Sequence, residues 1–574
     1  MTQATTTDLL SRARTWLAED PDPQTREELS ALLAAAEDPE AESRAKLAWA
    51  ELAERFADRL QFGTAGLRGE LGAGPMRMNR AVVIRAAAGL VAYVKQQGLG
   101  DLVVIGYDAR HKSYDFARDT AAVVVGAGLR AALFPRPLPT PVLAYAIRHL
   151  GAAAGVTVTA SHNPPQDNGY KVYLGDGSQI VPPADAGIAA EIDAIGSLTD
   201  VPLAGSGWET VDESVVEAYL DRAASIVDPH GARDLDVVYT PMHGVGRDTF
   251  VAAMRRAGFP APTVVAEQAE PDPDFPTVAF PNPEEPGAMD LAFRTASSVG
   301  PDIVIANDPD ADRCAVAVPA NGDAAGGGSG AAGWRMLRGD EVGALLGAAL
   351  VAKQAAGTFA TTIVSSSLLG RIAEAAGLGY AETLTGFKWI SRAEGLRYGY
   401  EEALGYCVDP EGVRDKDGVT AALLVAELAA TLKRSGRTLT DLLDDLALEH
   451  GLHATDQLSV RVQDLSLIAD AMRRLREQPP AVLAGLTVTR ADDLAEGSAD
   501  LPPTDGLRYH LVGDAVRSAR IVVRPSGTEP KLKCYLEVVL PVATAADLAP
   551  ARERAAELLA AVKRDLAAAA GIDA

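Results

Sequence analysis

Hydrophobic residues fall into short runs separated by longer segments with helical spacing. Runs of four to six mostly apolar residues, typical of buried strands, begin near residues 103, 154, 237 and 303. Segments with helical patterns follow some of them, for example residues 115–134. This order of strand, helix and strand recurs three times without a strict internal repeat, and it predicts three related α/β layers.

The two ends of the chain have a different pattern. Residues 1 to about 60 are charged and alanine-rich, and Asp22-Pro23 is a helix-start signal. After about residue 455 the pattern predicts strands, two helices and a smaller α+β domain. The glycine-rich segment 320–333 is expected to be a flexible loop or linker. A chain of 574 residues predicts three to five domains.

Charge and cysteine content narrow the classes of partner and compartment. Lys and Arg total 53 against 78 Asp and Glu, a net charge of -25, which argues against nucleic acid or an anionic membrane as the main partner. An anionic small molecule remains compatible if basic residues cluster locally. The three cysteines lack zinc-site spacing, and neither a signal peptide nor an 18-residue apolar run is recognisable, so a cytoplasmic protein is expected.

A serine and a histidine lie side by side in the loop TASHNPP, directly after the apolar strand VTVTA. Two prolines restrict this loop, so the Ser161 hydroxyl is held at the end of a strand. Such a position suits a nucleophile or a phosphorylated serine, and the cation Lys171 follows ten residues later. The alternative is a local turn in which side chains only bond to the backbone.

Three carboxylates alternate along the loop NDPDADR, between the apolar strands DIVIA and CAVAV. They repel one another unless a cation lies among them. An EF-hand is excluded because its sixth and twelfth positions would here be Arg313 and Pro319. Oxygen ligands without histidine or cysteine favour Mg²⁺ completed by a phosphate oxygen, whereas the alternative is a solvated acidic turn.

Two further loops offer groups that bind anions or hydroxyls. RPSGTEPK, which begins at Arg524, combines a guanidinium, hydroxyls and open backbone N–H groups, as in a phosphate-binding nest; an ordinary glycine turn is the alternative. TLTGFKW and YEEALGY are weaker candidates for contacts with sugar hydroxyls, since solvated loops have similar sequences. Their candidate residues are Thr385, Gly386, Lys388, Glu401 and Glu402. The segment DKDG at 415–418 is interpreted as a turn and N-cap.

With these residues in place, the sequence strongly resembles the α-D-phosphohexomutase superfamily of phosphoglucomutases, phosphomannomutases and related phosphopentomutases. Nearly the whole chain is covered, and TASHNP, DPDADR, EEALGY and RPSGTEPK follow in the order of that family. FGTAGLRGELGAGPMRMN resembles the amino-terminal loop of the family, which carries Arg68 toward the phosphoserine. TGFKW and DKDG indicate the longer-chain, phosphoglucomutase-2-like branch that includes bacterial phospho-sugar mutases.

The resemblance implies an α/β fold of four domains around a central cleft. Three would be related α/β mixed-sheet domains, and the fourth a smaller C-terminal α+β domain that moves to close the cleft. We expect the domains to span residues 1–215, 216–330, 331–455 and 456–574, carrying in turn the phosphoserine, metal-binding, sugar-binding and phosphate-binding loops.

The resemblance also implies roles for individual residues. Ser161 would carry a phosphoryl group that completes a Mg²⁺ site with Asp308, Asp310 and Asp312, with Arg313 close by. Glu401 or Glu402 would hold sugar hydroxyls. The non-reacting phosphate would bind the last loop, through Arg524, Ser526, Gly527, Thr528 and Lys531. Lys171 ranks first as the base that deprotonates the sugar hydroxyl, ahead of His162 and Lys388.

The implied activity is that of a cytosolic, Mg²⁺-dependent mutase, a monomer or homodimer, that interconverts glucose 1-phosphate and glucose 6-phosphate and is primed by glucose 1,6-bisphosphate. The sugar loop lacks the serine and the histidine of several relatives, with Ala403 and Tyr406 in this region. Mannose or pentose phosphates therefore remain alternatives. A phosphatase and a non-catalytic sugar-phosphate-binding protein are the rivals from other classes, while a P-loop kinase is excluded because no lysine follows a glycine.

Overall fold

The structure is a computed structural model that describes residues 3–38, 40, 42–320, 333–462, 466–498, 501–514, 516–526 and 531–572. The predicted linker at 320–333 therefore lies almost entirely outside the described residues. Among the described residues, no helix combines the length and the apolar content needed to cross a bilayer.

Three helices at the amino terminus pack against one another around a small apolar core that includes Leu29, Leu52 and Phe56. The Asp22 side chain accepts a hydrogen bond from the Gln24 amide at 3.0 Å, which confirms the predicted helix start. The helices are α1 (Gln3–Glu19), α2 (Pro23–Ala36) and α3 (Glu42–Arg55).

The first α/β domain contains a six-stranded sheet in the order β1-β5-β4-β2-β3-β6. Strands β2, β3, β4 and β6 are parallel, whereas β5 pairs antiparallel with both β4 and β1, so the sheet is mixed. Its strands are β1 (Leu67–Glu70), β2 (Leu102–Tyr107), β3 (Arg130–Leu133), β4 (Ala154–Val158), β5 (Asp167–Leu174) and β6 (Glu209–Thr210). Its helices are α4 (Arg80–Gln97), α5 (Ser113–Gly126), α6 (Thr140–His149) and α7 (Ala184–Ala194), and α8 (Glu213–Ala224) leads into the second domain across the expected limit at 215.

The second and third domains repeat the mixed α/β arrangement with sheets of five and four strands, in the orders β11-β10-β9-β7-β8 and β13-β12-β14-β15. The second domain contains β7 (Val237–Thr240), α9 (Gly246–Arg256), β8 (Thr263–Val264), α10 (Asp290–Val299), β9 (Ile303–Ala306), β10 (Ala315–Pro319) and β11 (Trp334–Met336). The third contains α11 (Gly339–Ala352), β12 (Thr358–Thr362), α12 (Leu368–Ala375), β13 (Gly379–Thr383), α13 (Phe387–Ile390), β14 (Leu396–Glu401), β15 (Gly405–Cys407), α14 (Gly418–Arg434) and α15 (Leu439–His450).

The fourth domain is an antiparallel six-stranded sheet in the order β16-β21-β20-β19-β18-β17, with its own apolar core against two helices. Its elements are β16 (Leu452–Arg461), α16 (Ser466–Glu477), β17 (Val482–Leu483), β18 (Leu486–Asp493), β19 (Leu507–Gly513), β20 (Val516–Pro525), β21 (Lys531–Leu540) and α17 (Leu548–Ala570). Three α/β domains and a C-terminal α+β domain are thus the predicted fold class, which is confirmed.

Two strands fall on the other side of an expected domain boundary. β11 lies beyond residue 330, yet it pairs antiparallel with β10 and extends the second sheet. β16 begins before residue 456 and pairs along its whole length with β21 of the fourth domain. The expected limit at 330 therefore separates β11 from its partner β10, and the limit at 455 falls inside β16, because a strand's partner is not encoded in its own sequence.

A buried ion pair lies where the third and fourth domains meet. Glu537 accepts a hydrogen bond from Ser366 Oγ at 2.7 Å and lies 3.4 Å from the Arg520 guanidinium. Burial alone would raise the pKa of Glu537, but Arg520 and the bonds from His453 and Ser366 lower it to about 2.

We expect Glu537→Gln to destabilise the protein at neutral pH and not in strong acid. The folded-state pKa lies below the unfolded value, so this carboxylate stabilises the fold above about pH 4.5, by about 3 kcal/mol, and the contribution is lost as the pH falls toward 2. Thermal unfolding followed by circular dichroism at pH 7 and pH 3 measures the gap in stability between the wild-type protein and the variant at each pH. Glu553→Gln, on an exposed position of α17, is the control; an equal gap for Glu537→Gln at both pH values would contradict the assignment.

Candidate active site

Ser161 stands at the end of β4 in a fixed and buried loop. It is 2% exposed, and its backbone adopts a left-handed conformation with φ of 51°. This conformation is unfavourable for a residue with a side chain. Its amide donates to Thr159 Oγ1 at 2.8 Å, and its hydroxyl donates to Asp308 Oδ2 at 2.7 Å. The serine loop of the first domain thus touches the acidic loop of the second.

Arg110 holds the serine loop through hydrogen bonds to its backbone, a role that no sequence motif indicated. Its guanidinium donates to the carbonyl oxygens of Ser161 at 2.7 Å and Pro164 at 2.8 Å. The ring of Phe275, from the second domain, lies 4.8 Å from the guanidinium carbon. Arg68 lies on the other side of the loop and donates to Asn163 Oδ1 at 3.1 Å. Both arginines therefore fix the loop through atoms other than the Ser161 hydroxyl.

The three aspartates of the acidic loop meet directly after β9. Asp308, Asp310 and Asp312 are fully buried, and one carboxylate oxygen from each lies within 4.8 Å of the others. Burial, with repulsion from Asp310 and Asp312, raises the pKa of Asp308 to about 8. Asp310 Oδ1 and Asp312 Oδ1 have no hydrogen-bond partner among the described residues. Buried, unpartnered carboxylate oxygens fit a hard divalent cation such as Mg²⁺.

Three cations from three parts of the chain face the acidic loop. Lys171 Nζ, on β5, lies 2.7 Å from Asp310 Oδ2 and 3.0 Å from Asp312 Oδ2. Lys416 Nζ, from the third domain, lies 2.5 Å from the same Asp312 oxygen. Arg313 Nε lies 3.9 Å from Asp308 and 4.0 Å from Asp312. Burial opposes ionisation of Asp312, but these cations hold its pKa below the usual range.

Lys416 is a site residue that the sequence interpretation missed. DKDG was interpreted as a turn and N-cap, and Asp417 does cap α14 by accepting hydrogen bonds from the Val419 and Thr420 amides. The residue before the cap points to the acidic loop. Gly418 makes this approach possible, since a Cβ there would lie 2.2 Å from the Arg313 carbonyl oxygen. A lysine between two acids directly before a buried helix was the available signal.

We expect Lys416→Met to destabilise the protein by about 3 kcal/mol without Mg²⁺, because it leaves the buried charge of Asp312 less compensated. Urea unfolding in EDTA measures the loss. The matched control is Lys433→Met, which breaks a 2.8 Å ion pair with Asp302 in which both side chains are part-exposed. That change is expected to cost about 1 kcal/mol or less. Equal losses for the two variants would contradict the assignment of Lys416 to the acidic loop.

The sugar-loop candidates lie in the third domain beside the same loop. Burial raises the pKa of Glu401 against the opposing effect of Lys416 and Arg313. Glu402 Oε2 accepts hydrogen bonds from Ser365 Oγ at 2.9 Å and Thr362 Oγ1 at 3.2 Å. Burial and the neighbouring Glu401 raise the pKa of Glu402 to about 7. Two carboxyl groups are thus held at half-buried positions, and the Glu401 carboxyl lies within the electrostatic influence of Arg313 and Asp312.

TLTGFKW contacts the first domain directly. Lys388 Nζ donates to Thr64 Oγ1, which belongs to the loop that carries Arg68. Thr385 and Gly386 precede the short helix α13, and Gly386 has a φ of 107°, a conformation that favours glycine. Burial lowers the pKa of Lys388 against the opposing effect of Asp185 and Glu401, and the positive charge of Arg524 adds to the lowering.

The predicted phosphate loop joins β20 to β21. These strands pair as far as Pro525 and Leu532, and the Ser526 amide donates to the Lys531 carbonyl oxygen at 2.8 Å. Gly527 and Thr528 lie outside the described residues. Val522, on the same face of β20 as Arg524, packs with Ile363, Val364 and Leu384 of the third domain, so this end of the strand lies beside that domain.

The pKa shifts do not favour the sequence-based ranking of the base. Burial lowers the pKa of Lys171, but Asp310 and Asp312 raise it well above the usual range, so this lysine stays charged. Burial, with Arg313 and Arg68, holds the pKa of His162 well below its usual value. His162 Nδ1 lies 3.2 Å from Ser161 Oγ. A neutral imidazole or the Lys388 amine suits proton acceptance better than Lys171 does.

Comparison with known proteins supports one family. Models described as phosphoglucomutase/phosphomannomutase alpha/beta/alpha domains I, II and III match residues 59–199, 217–322 and 338–449. The model of the C-terminal domain matches residues 460–555. The four models follow one another along the chain in the order of their domains.

Individual relatives are named for different sugars. A probable phosphomannomutase of Haemophilus influenzae is 48% identical over 80% of this chain and 93% of its own. A phosphopentomutase of Mus musculus is 34% identical over 92% and 89%, and a phosphoglucomutase of Staphylococcus haemolyticus is 33% identical over 84% and 91%. The chain belongs to the phosphoglucomutase/phosphomannomutase family of phosphotransferase enzymes.

Proposed function

We propose that this enzyme moves a phosphoryl group between C1 and C6 of glucose phosphate, through a phosphorylated Ser161 and glucose 1,6-bisphosphate. One observation carries the proposal: the Ser161 hydroxyl is buried 2.7 Å from Asp308, beside two carboxylate oxygens that lack partners among the described residues. A buried hydroxyl in contact with a cation-binding carboxylate can exchange a phosphoryl group away from bulk water.

The metal site is proposed to consist of Asp308, Asp310 and Asp312 with a phosphate oxygen on Ser161. The family is Mg²⁺-dependent, and the donor set is all oxygen. When bound, Mg²⁺ would offset the negative charge of the phosphoryl group. Lys171, Lys416 and Arg313 add fixed positive charge around the same atoms, which lowers the repulsion between two anionic reactants.

In the first step a sugar hydroxyl oxygen attacks the phosphorus atom on Ser161. The new P–O bond forms as the bond to Ser161 Oγ breaks, and the bonding electron pair stays on Oγ. The hydroxyl proton passes to a base, for which His162 and Lys388 are the better-suited candidates because their pKa values are lowered. The product is a sugar bisphosphate.

The bisphosphate must then turn over and return its other phosphoryl group to Ser161. This reversal requires a site that binds the non-reacting phosphate in both orientations. We assign that role to the loop bounded by Arg524, Ser526 and Lys531, with Gly527 and Thr528 of RPSGTEPK as further candidates. Glu401 or Glu402 would hold the sugar hydroxyls, and Thr385, Gly386 and Lys388 would line the opposite side.

Glucose is the first choice of sugar, with mannose and then ribose or deoxyribose as alternatives. The sugar loop offers no side-chain hydroxyl at Ala403, and the Tyr406 hydroxyl already donates to the Gly339 carbonyl oxygen at 3.2 Å. Selectivity would therefore depend on Glu401 and Glu402 and on the width of the cleft. Smaller sugars are compatible with this arrangement.

A coupled assay with glucose, mannose and ribose 1-phosphates, each with and without its bisphosphate, tests the proposal. The expected result is primer-dependent isomerisation with the highest kcat/KM for glucose 1-phosphate. A higher kcat/KM for another sugar would make that sugar the preferred substrate in place of glucose. The proposed mechanism would be unaffected. Release of inorganic phosphate in place of isomerised product would indicate a phosphatase. Absence of both products, with no transfer of label from the bisphosphate to Ser161, would favour a binding protein.

A further inference from the structure

Strands β20 and β21 of the fourth domain present one face to its own core and the other to the third domain. Because strand side chains alternate, Ala519, Ile521 and Val523 enter the domain core. Arg520, Val522 and Arg524 lie on the opposite face, where Val522 packs with Ile363, Val364 and Leu384 of the third domain. Arg520 and Arg524 are thus about 13 Å apart along one strand and share one face.

Arg520 joins the fourth domain to the loop that follows β12. Its guanidinium donates to Glu382 Oε1 at 2.7 Å and to the Ser365 carbonyl oxygen, both in the third domain. It also lies 3.4 Å from Glu537, its cross-strand partner. Its side chain is 12% exposed, so these contacts are made largely out of water.

Glu537 holds the same loop through the next two residues. One carboxylate oxygen accepts from Ser366 Oγ at 2.7 Å and from the Ser367 amide at 2.8 Å. Arg520 and Glu537 of the fourth domain therefore bind three successive residues of the third-domain loop, 365–367. Arg520 binds a backbone carbonyl oxygen, and Glu537 binds a hydroxyl and an amide.

This loop also orients one of the sugar-loop candidates. Ser365 donates its hydroxyl to Glu402 Oε2 at 2.9 Å, while its carbonyl oxygen accepts from Arg520. Ser365 is buried and makes both hydrogen bonds, one to Glu402 and one to Arg520, in the same structure. The position of Glu402 is thereby linked, through one residue, to the strand that carries Arg524.

We propose that Arg520, paired with Glu537, is a positioning residue that sets the spacing between Glu402 and Arg524 before substrate binds. The inference rests on the proposed function, in which Glu402 holds the sugar and Arg524 the non-reacting phosphate. A sugar phosphate must span both groups, so their spacing is part of the binding site. Fixing it in advance removes the ordering cost from the binding step.

Steady-state kinetics of Arg520→Met, with Arg520→Lys as the conservative variant and Arg508→Met as the matched control, tests this role. Arg508 lies on the same face and also pairs with Glu382, at 3.3 Å. Arg520→Met is expected to raise the KM for the sugar 1-phosphate about tenfold while kcat falls less than threefold. Arg520→Lys keeps the charge but not the planar fork, so its KM should be intermediate. Arg508→Met should change KM less than twofold.

Hydrogen exchange at residues 363–367 is measured on the same proteins. Faster exchange of the Ser367 amide, which donates to Glu537, is expected in Arg520→Met, at least tenfold over wild type. This measurement does not depend on turnover. If the wild-type protein isomerises no sugar phosphate, the proposed function fails, and exchange alone decides whether Arg520 holds the loop.

Two outcomes would overturn the inference. Unchanged exchange in Arg520→Met would show that the loop does not depend on Arg520. Faster exchange with a lower kcat and an unchanged KM would reduce Arg520 to a structural role. Should Arg520→Met fail to fold, Ser365→Ala removes only the hydroxyl that meets Glu402. It is then expected to raise KM about threefold, and an unchanged KM would reject the link to Glu402.

Discussion

Replacing Ser161 by alanine is expected to abolish mutase turnover, with a fall in kcat of at least about 10⁴-fold. The change removes the atom that accepts the phosphoryl group, and no other side chain of the loop can replace it. His162 Nδ1 lies 3.2 Å from the hydroxyl, but among the described residues the hydrogen bond from this loop to the acidic loop is made by Ser161 Oγ. Coupled assay of glucose 1-phosphate conversion, with saturating bisphosphate, measures the loss.

The matched control for this change is Ser178→Ala. Ser178 is buried in the same domain, and its hydroxyl has no hydrogen-bond partner among the described residues. It should retain turnover within about twofold, because no interaction is lost. Incubation with labelled bisphosphate should place the label on the wild-type and Ser178→Ala proteins only. Undiminished turnover or labelling in Ser161→Ala would remove Ser161 from the mechanism.

The sequence was most informative where strand ends carry chemistry. Ser161 and Asp308 are separated by 147 positions, yet each directly follows an apolar strand, and they meet at a hydrogen bond. The two strands belong to different sheets, so this pattern predicts a functional loop at the end of each sheet's strand but not that the two loops meet. The family resemblance then supplied the order of the domains around that site.

The sequence was least informative for residues that act through another domain. Arg110 binds backbone carbonyl oxygens of the serine loop, and backbone acceptors leave no trace in a motif. Lys416 reaches Asp312 only because α14 of the third domain packs beside the second. From sequence alone, Arg520 resembles a solvent-exposed charge on an exposed strand. In the structure its partners come from two domains. Such contacts depend on docking, which local patterns do not specify.

The same reasoning explains why the ranking of the base changed. Lys171 lies ten residues after Ser161, and sequence alone places a cation near the phosphoryl group. The structure adds that two carboxylates face its ammonium group at 2.7 and 3.0 Å, which raises its pKa. A lysine so paired is better placed to stabilise negative charge than to accept a proton, which is why we propose His162 or Lys388 ahead of it as the base.

The second large effect is expected from Asp310→Asn, which should lower kcat at least about 10³-fold and remove the stabilisation of the protein by Mg²⁺. Asp310 Oδ2 accepts from Lys171 and Thr140, each at 2.7 Å, whereas Oδ1 lacks a partner among the described residues. An asparagine would keep its carbonyl oxygen toward these two donors. Its NH₂ group would then occupy the position of Oδ1 and repel a cation.

Thermal unfolding with and without MgCl₂, together with calorimetric titration of MgCl₂, measures this effect. A ligand at about 100 times its Kd stabilises the folded state by about 2.7 kcal/mol, so the wild-type protein should show a clear rise in Tm and Asp310→Asn almost none. Asp302→Asn, which loses a part-exposed 2.8 Å ion pair with Lys433 at the start of β9, should keep the full Mg²⁺ response. Equal Mg²⁺ affinity in Asp310→Asn and wild type would move the cation away from the acidic loop, because the substitution changes only the atoms proposed to hold it.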